Sequence, residues 1–205
     1  HRSGHSFPTR RSSDLANWNS PIHQAKESIE SQSSRWWQQK KFLSSLVEAC
    51  GGLHELNITG GEPTLIPELI DVLKQLNKDC VVQLTTNGTL FNQKLYNELS
   101  KFKETWFVLS IDGVGDTYNY IRHPGDWKIV NSNVNKFKDY VKEIHVETAT
   151  TIFNILDLTN IWTWCNENNL DILVPNWVSE PEWTGIYAIP QTVKNNALEI
   201  GRAHV

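Results

Sequence analysis

The chain has no methionine, only three cysteines, no long apolar run and no block of basic residues. Each absence excludes something. Without methionine, these residues read as an internal stretch of a longer gene. Cys50, Cys80 and Cys165 lie far apart, which argues against a disulfide framework and against a complete metal motif. No metal ligand is assigned from the sequence, and a reducing, cytoplasmic compartment is the expectation. No run of about 18 apolar residues is present, so no membrane span is expected. The formal net charge is -4. Setting aside Arg2, Arg10, Arg11, Arg202, Asp14 and Glu199 at the two ends leaves 15 basic and 21 acidic residues, a net charge of -6. Such a chain carries no electrostatic footprint for nucleic acid.

The ends themselves are foreign to the fold. "HSFPTRRSSDL" (His5–Leu15) and "EIGRAHV" (Glu199–Val205) read back, codon by codon, as the two adapters of a short-read sequencing chemistry. Residues 1–15 and 199–205 are therefore expected to be adapter-derived, the first of them disordered, and are set aside from fold reasoning. The remainder is long enough for one domain with a sizeable core.

What is present is a regular alternation. A helix-like segment ends at Cys50-Gly51-Gly52, and the strand-like "HELNI" (His54–Ile58) follows. "PELIDVLKQLNK" carries Leu69, Ile70, Leu73 and Leu76 at helical spacing. "VVQLTTNG" is strand then turn, "NQKLYNELSKF" helix, and "TWFVLSIDG" strand then turn. "DWKIVNSNVNKFKDYV" has one apolar face, "IHVETATTI" is strand, "LTNIWTWCNENN" helix and "LDILVPNWV" strand. Strands alternating with crossover helices mean βαβ units and a parallel sheet. The pattern predicts an α/β fold, a partial (β/α)6 TIM-like barrel with its first strand missing. The core is expected over residues 16–178. Residues 179–198 lose the rhythm and read as a transition toward a further domain.

In parallel α/β folds, ligands lie beyond the carboxyl ends of the strands. Here those ends are Gly60-Gly61-Glu62-Pro63, Thr85-Thr86-Asn87-Gly88, Ser110-Ile111-Asp112-Gly113, Glu147-Thr148-Ala149-Thr150-Thr151 and Pro175-Asn176-Trp177. All are polar and most carry glycine, as a cradle for a polar small ligand requires. Taken alone, GGEP is an ordinary strand-to-helix turn, and Asn87-Gly88 is ordinary turn chemistry.

"LNITGGEPTL", "TTNG" and "LSIDG", in that order and at those spacings, resemble the core domain of radical S-adenosylmethionine (SAM) enzymes. "YNYIRHPGDWKIVNSNV" resembles the GGEP-type subgroup in which a twitch or SPASM domain follows the core. The resemblance covers essentially everything between the adapter-derived ends. It implies a partial β/α barrel that binds SAM and a 4Fe–4S cluster. It implies an electron donor such as flavodoxin or ferredoxin, and reductive cleavage of SAM to a 5′-deoxyadenosyl radical that abstracts hydrogen from substrate.

The residue chemistry agrees with that expectation. A desolvated ammonium group needs several acceptors at fixed positions. Carbonyls of a Gly-Gly turn approach closely because no Cβ intervenes, Glu62 adds charge, and Pro63 fixes the exit of the turn. Gly60, Gly61 and Glu62 thus suit the methionyl amino group of SAM. Ser110 and Asp112 are candidates for ribose hydroxyls, and Arg122 for a bidentate pair with the methionyl carboxylate. Thr150 and Asn176 are candidates for ribose or adenine.

The family's CxxxCxxC loop is absent, and Cys50, Cys80 and Cys165 have the wrong spacing to replace it. "NWNSP" (Asn17–Pro21) is similar to the stretch that follows the third cysteine in this subgroup, so the loop is expected just upstream of the adapter junction. His54, His123 and His145 are unclustered in sequence, which argues against a metal role. Trp36, Trp37, Trp162 and Trp164 are expected to pack as core or helix face. Trp177 and Trp183 are read as core, with lining of a substrate opening as the alternative. Two other readings stay open. One is another β/α-barrel enzyme such as an aldolase, although no strand end carries a Schiff-base lysine or metal ligands. The other is a cluster-less, non-catalytic SAM-binding homologue.

Overall fold

The structure, a computed structural model, describes residues 40–50, 52–173 and 175–195. The two ends expected to be adapter-derived, "NWNSP", Trp36 and Trp37 lie outside these residues. The chain divides into two compact units, one comprising residues up to Thr85 together with Asn92–Thr105, the other Thr86–Phe91 together with residues from Trp106 onward.

The described part of the first unit contains helix α1 (Lys40–Cys50), strand β1 (Glu55–Ile58), a 3-10 turn at Pro63–Leu65 and helix α2 (Glu68–Gln75). Strand β2 (Val81–Thr86) and helix α3 (Gln93–Leu99) complete it. β1 and β2 are parallel, in register from Glu55 opposite Val81 to Ile58 opposite Leu84. The alternation of β2 puts Val82 and Leu84 at zero exposure. α2 buries Val72 and Leu73, and α3 buries Leu95, Tyr96 and Leu99, the same-face spacing of an amphipathic helix. Asn92 caps α3 by accepting a hydrogen bond from the Leu95 N–H at 3.2 Å, an arrangement that contributes about 1 kcal/mol. Glu98 is buried beside Lys78 (3.0 Å) and Lys101 (2.6 Å), and the Lys78 ammonium lies 4.2 Å from the Phe102 ring centre.

The second unit holds most of β3 (Glu104–Ser110), helices α4 (Asp116–Ile121) and α5 (Trp127–Phe137), and β4 (Glu143–Glu147). β5 (Ala149–Thr150), α6 (Leu158–Glu167), β6 (Asp171–Ile172) and β7 (Asn176–Trp177) follow. β3, β4 and β6 are neighbours and all parallel, with Ser110 opposite Glu147 and His145 opposite Asp171. Two parallel strands in one unit and three in the other make the chain α/β, as the alternating pattern predicts. The core of this unit gathers Phe107, Leu109, Val130, Val134, Phe137, Val146 and Ile161, all fully shielded from solvent. Phe137 packs edge-on against Phe107 at 5.3 Å, and Trp127 edge-on against Trp164 at 4.9 Å.

Three expectations need correction. "IHVETATTI" is not one strand: the ladder stops after Glu147, because side chains replace backbone partners there. The Thr148 hydroxyl donates to the Ile111 carbonyl at 2.8 Å, and the Ala149 N–H is taken by an Asp112 carboxylate oxygen at 2.9 Å. "LDILVPNWV" is likewise two strands, with Pro175, which has no N–H to offer a ladder, just before the second. β7 pairs instead with β5 in a separate parallel pair. Finally, Trp164 is buried as expected, but Trp162, Trp177 and Trp183 are more than half exposed. On α6 the inward positions are Ile161, Trp164 and Cys165, which turns Trp162 outward.

Candidate functional site

In the first unit the interest lies at the carboxyl end of β1. Gly60 and Gly61 have φ of +93° and +46°, the left-handed region that favours glycine. A Cβ at either position would meet nothing within 4 Å, so backbone conformation demands glycine here, not crowding. Among the described residues neither glycine's carbonyl receives a hydrogen bond. The next residue turns inward. Glu62 is buried, and one carboxylate oxygen accepts from the Thr64 N–H (3.2 Å) and the Thr64 hydroxyl (2.6 Å), capping the 3-10 turn that Pro63 begins. Burial pushes the Tyr96 phenol above its ordinary pKa, and the nearby Glu62 carboxylate adds to that shift. This turn therefore holds a fixed carboxylate next in sequence to two carbonyls that accept no hydrogen bond among the described residues.

In the second unit the strand ends are tied by a buried polar network centred on Asp112. Asp112 is 2% exposed. One of its oxygens accepts from the Ala149 N–H at 2.9 Å and the other from Arg122 Nε at 2.6 Å. Its backbone carbonyl accepts from Asn154 Nδ2 at 2.9 Å, and the same Nδ2 reaches the Ala149 carbonyl at 2.8 Å. Asn154 Oδ1 accepts from the Thr151 N–H at 2.7 Å. The ends of β3 and β5 are thus held by side chains.

The network leaves some groups unspent. Arg122 Nη2 is buried without a hydrogen-bond partner, and so is the hydroxyl of fully buried Thr150. The Ser110 hydroxyl makes no hydrogen bond among the described residues and is half-buried. Asn176, exposed at the start of β7, donates to Glu147. Of the predicted residues in this unit, Asp112 and Arg122 are joined directly, Thr150 lies on the strand whose first amide Asp112 holds, and Asn176 pairs elsewhere. Asn87-Gly88 is the turn the sequence suggests: Asn87 Oδ1 accepts from the Thr89 N–H at 2.9 Å, and Gly88 has φ +72°.

Asn154 and Thr148 were not singled out by sequence reasoning. Each makes a contact to a residue about forty positions away, and a lone Asn in "TIFNIL" or Thr in "VETAT" carries no signal of that.

The described residues do not fit a 4Fe–4S cluster. Such a cluster needs thiolates in one loop. Cys80 and Cys165 are buried, Cys50 ends a helix, and burial raises the Cys80 thiol and pushes the Cys165 thiol up to about 12.

The sequence profile of the Radical SAM superfamily matches residues 40–161. A GTP 3′,8-cyclase from Syntrophomonas wolfei is 34% identical over 89 residues, which amount to 42% of this chain and 27% of the cyclase. Among solved structures, SuiB of Streptococcus suis bound to S-adenosylmethionine aligns with a TM-score of 0.53 at 21% identity, covering 64% of this chain and 32% of that one. Native anSMEcpe with bound AdoMet and Cp18Cys peptide aligns with a TM-score of 0.55 at 21% identity, covering 67% and 42%. Coproporphyrinogen III oxidase (HemN) of Escherichia coli, described as a radical SAM enzyme, aligns at 0.51 and 14% identity, covering 80% and 40%. The structures share the fold, and in each case the match spans less than half of the relative. With more than half of its length matched by the profile, the chain belongs to the radical SAM superfamily.

Proposed function

We propose that this chain is the SAM-binding core of a GGEP-type radical SAM enzyme, bounded by residues 16–178 and continuing toward a twitch-like domain. The observation that carries the reading is the pair of buried, unpartnered polar groups on a strand end and beside one, Arg122 Nη2 and Thr150 Oγ1. Buried polar groups are nearly always hydrogen-bonded, and leaving one unmade costs about 1–3 kcal/mol. A ligand bearing a carboxylate and hydroxyls satisfies both.

In this reading the Gly60 and Gly61 carbonyls and the Glu62 carboxylate accept from the methionyl ammonium of SAM, with Pro63 holding the turn. Arg122, anchored through Nε to Asp112, offers Nη2 to the methionyl carboxylate. Ser110 and Thr150 take ribose hydroxyls, and Asn176 lies toward the adenine. Asp112 acts through Arg122 and Ala149, a positioning role, because both of its oxygens are engaged.

In the enzyme that this reading describes, a 4Fe–4S cluster held by residues other than those described here, and reduced by a flavodoxin or ferredoxin in the cytoplasm, would supply the reducing electron. Its ligands are not among the cysteines described above, so this chain by itself binds SAM without cleaving it. S-adenosylhomocysteine, which retains the amino, carboxylate and ribose groups, is the probe. Calorimetry is expected to detect its binding to the chain, weakened about tenfold or more by Arg122→Met, the equivalent of losing one good polar contact of about 1.4 kcal/mol. Absence of binding, or equal binding by the variant, sinks the assignment. Cluster absorbance and SAM cleavage after anaerobic reconstitution of the chain would overturn the claim of inactivity.

A further inference from the structure

We propose that Glu143, His145 and Asp171 form a binding site for a divalent transition-metal ion of the zinc class, which clips β6 to β4. In sequence His145 is unclustered. In the fold it is not. Glu143 and His145 are two apart on β4 and so share a face, and Asp171 is the residue directly opposite His145 on β6. The three side chains bring one ligating atom each within 4.8 Å of one another, and His145 Nε2 lies 3.3 Å from Glu143 Oε2.

The imidazole supplies the second, independent observation. Both of its ring nitrogens are closed off from solvent and neither has a hydrogen-bond partner. The approach to Glu143 is close without hydrogen-bond geometry. A histidine ring with two buried, unused nitrogens needs a reason, and a simple imidazolium–carboxylate pair would leave Asp171 without a role. An ion taking one nitrogen lone pair and two carboxylate oxygens accounts for all three residues.

The donor set has a definite preference. One imidazole and two carboxylates suit zinc and its first-row neighbours better than calcium or magnesium, which take oxygen. Ligand distances of about 2.0–2.2 Å put the donors of one ion roughly 3–4 Å apart. The His145–Glu143 pair already has that spacing, and the exposed Asp171 closes by side-chain rotation. Glu143 and Asp171 also border an open cleft of about 270 Å³. Lys138 and Lys142 border the same cleft, and their charge lowers affinity without supplying any competing ligand.

The position gives the site a purpose. β6 is two residues long, in register with β4 through His145–Asp171 and Val146–Ile172, with the Leu173 N–H donating to the Val146 carbonyl at 2.9 Å. So short a strand is held weakly by its own ladder. An ion bridging the first of these pairs fixes the last strand of this sheet. The site lies toward the amino ends of β4 and β6, and it stands independently of the SAM reading.

The test is calorimetric titration of the chelator-stripped full chain with Zn²⁺, alongside His145→Gln, Asp171→Asn and a Cys50→Ser control, with folding checked by circular dichroism. Loss of a ligand is expected to weaken binding by at least about tenfold, while Cys50→Ser leaves it unchanged. Zn²⁺ is expected to raise the melting temperature of the parent chain and not of His145→Gln, since a ligand stabilises only the state that binds it. Co²⁺ substitution should give the weak visible bands of nitrogen and oxygen ligation. Equal Zn²⁺ affinity in parent and His145→Gln, no binding by the parent, or an intense thiolate charge-transfer band with Co²⁺ would each overturn the site. Asp171→Asn, at an exposed position, keeps the result readable should His145→Gln fail to fold.

Discussion

Each compact unit buries one carboxylate against a cation, and the two are built differently. In the first unit Glu98 is 4% exposed, yet its partners Lys78 and Lys101 keep 33% and 58% of their side chains in solvent. Burial alone would raise the Glu98 pKa. The hydrogen bonds and charges of Lys101 and Lys78 outweigh burial and hold it below the ordinary value. In the second unit Asp112 faces Arg122, which is itself 10% exposed, and the remaining oxygen is taken by a backbone amide. The first pair is a staple whose cations can return to water. The second is closed, and it leaves a spare donor, Arg122 Nη2, without a hydrogen-bond partner.

Breaking the closed pair should cost most. Asp112→Ala leaves the Arg122 charge buried and the Ala149 N–H unmet, a loss of about 3–5 kcal/mol, read as a large fall in the urea midpoint. Little change would mean that Arg122 escapes to solvent and that the network is not closed. Asn154→Ala comes next. It removes the bonds joining Asp112, Ala149 and Thr151 and should cost about 1–3 kcal/mol, with amide exchange quickening at Thr151. Unaltered exchange there would show that the strand ends hold without the side chain.

Gly60→Ala carries the comparison to the open turn of the first unit. At φ +93° it should cost about 1–2 kcal/mol through strain alone, whereas Gly52→Ala, whose φ is not positive, should cost less. Equal costs would remove the conformational argument. The smallest effect belongs to the Glu98 staple. Because its folded pKa is lowered, its stabilisation is fully present above the unfolded value near 4.5 and is lost as the pH falls through the folded value. Glu98→Gln should therefore narrow its deficit relative to the parent chain as the pH drops below about 4.5, by about 1 kcal/mol or less. A deficit independent of pH would assign the role of Glu98 to packing instead.

Much of this was legible in advance. Alternating strand and helix patterns gave the parallel α/β class and the places of β1, β2, β3, α2, α3, α5 and α6, because period 2 and period 3.6 are properties of contiguous residues. The glycines of the GGEP turn declared themselves for the same reason: their demand is local backbone conformation. The breaks inside "IHVETATTI" and "LDILVPNWV" were not legible, except through Pro175. The first depends on Thr148 and Asp112 finding each other's strands, which no window of sequence contains. Trp162 and Trp164 differ by two positions and by opposite faces of one helix, a distinction that composition does not make.

The sequence by itself determined which residue types stand at the ends of the strands, since strand ends, turns and glycines with positive φ are set within a few residues. Only the tertiary structure decided which of those groups are spent and which are in reserve. Both Asp112 oxygens are spent because Ala149 and Arg122 reach them, and Thr150 kept a free hydroxyl because burial left it no partner. The same holds for His145, solitary along the chain and beside two carboxylates once β6 lies against β4. Hydrogen bonding and metal ligation act over a few ångströms of space, and separation along the chain does not report that distance.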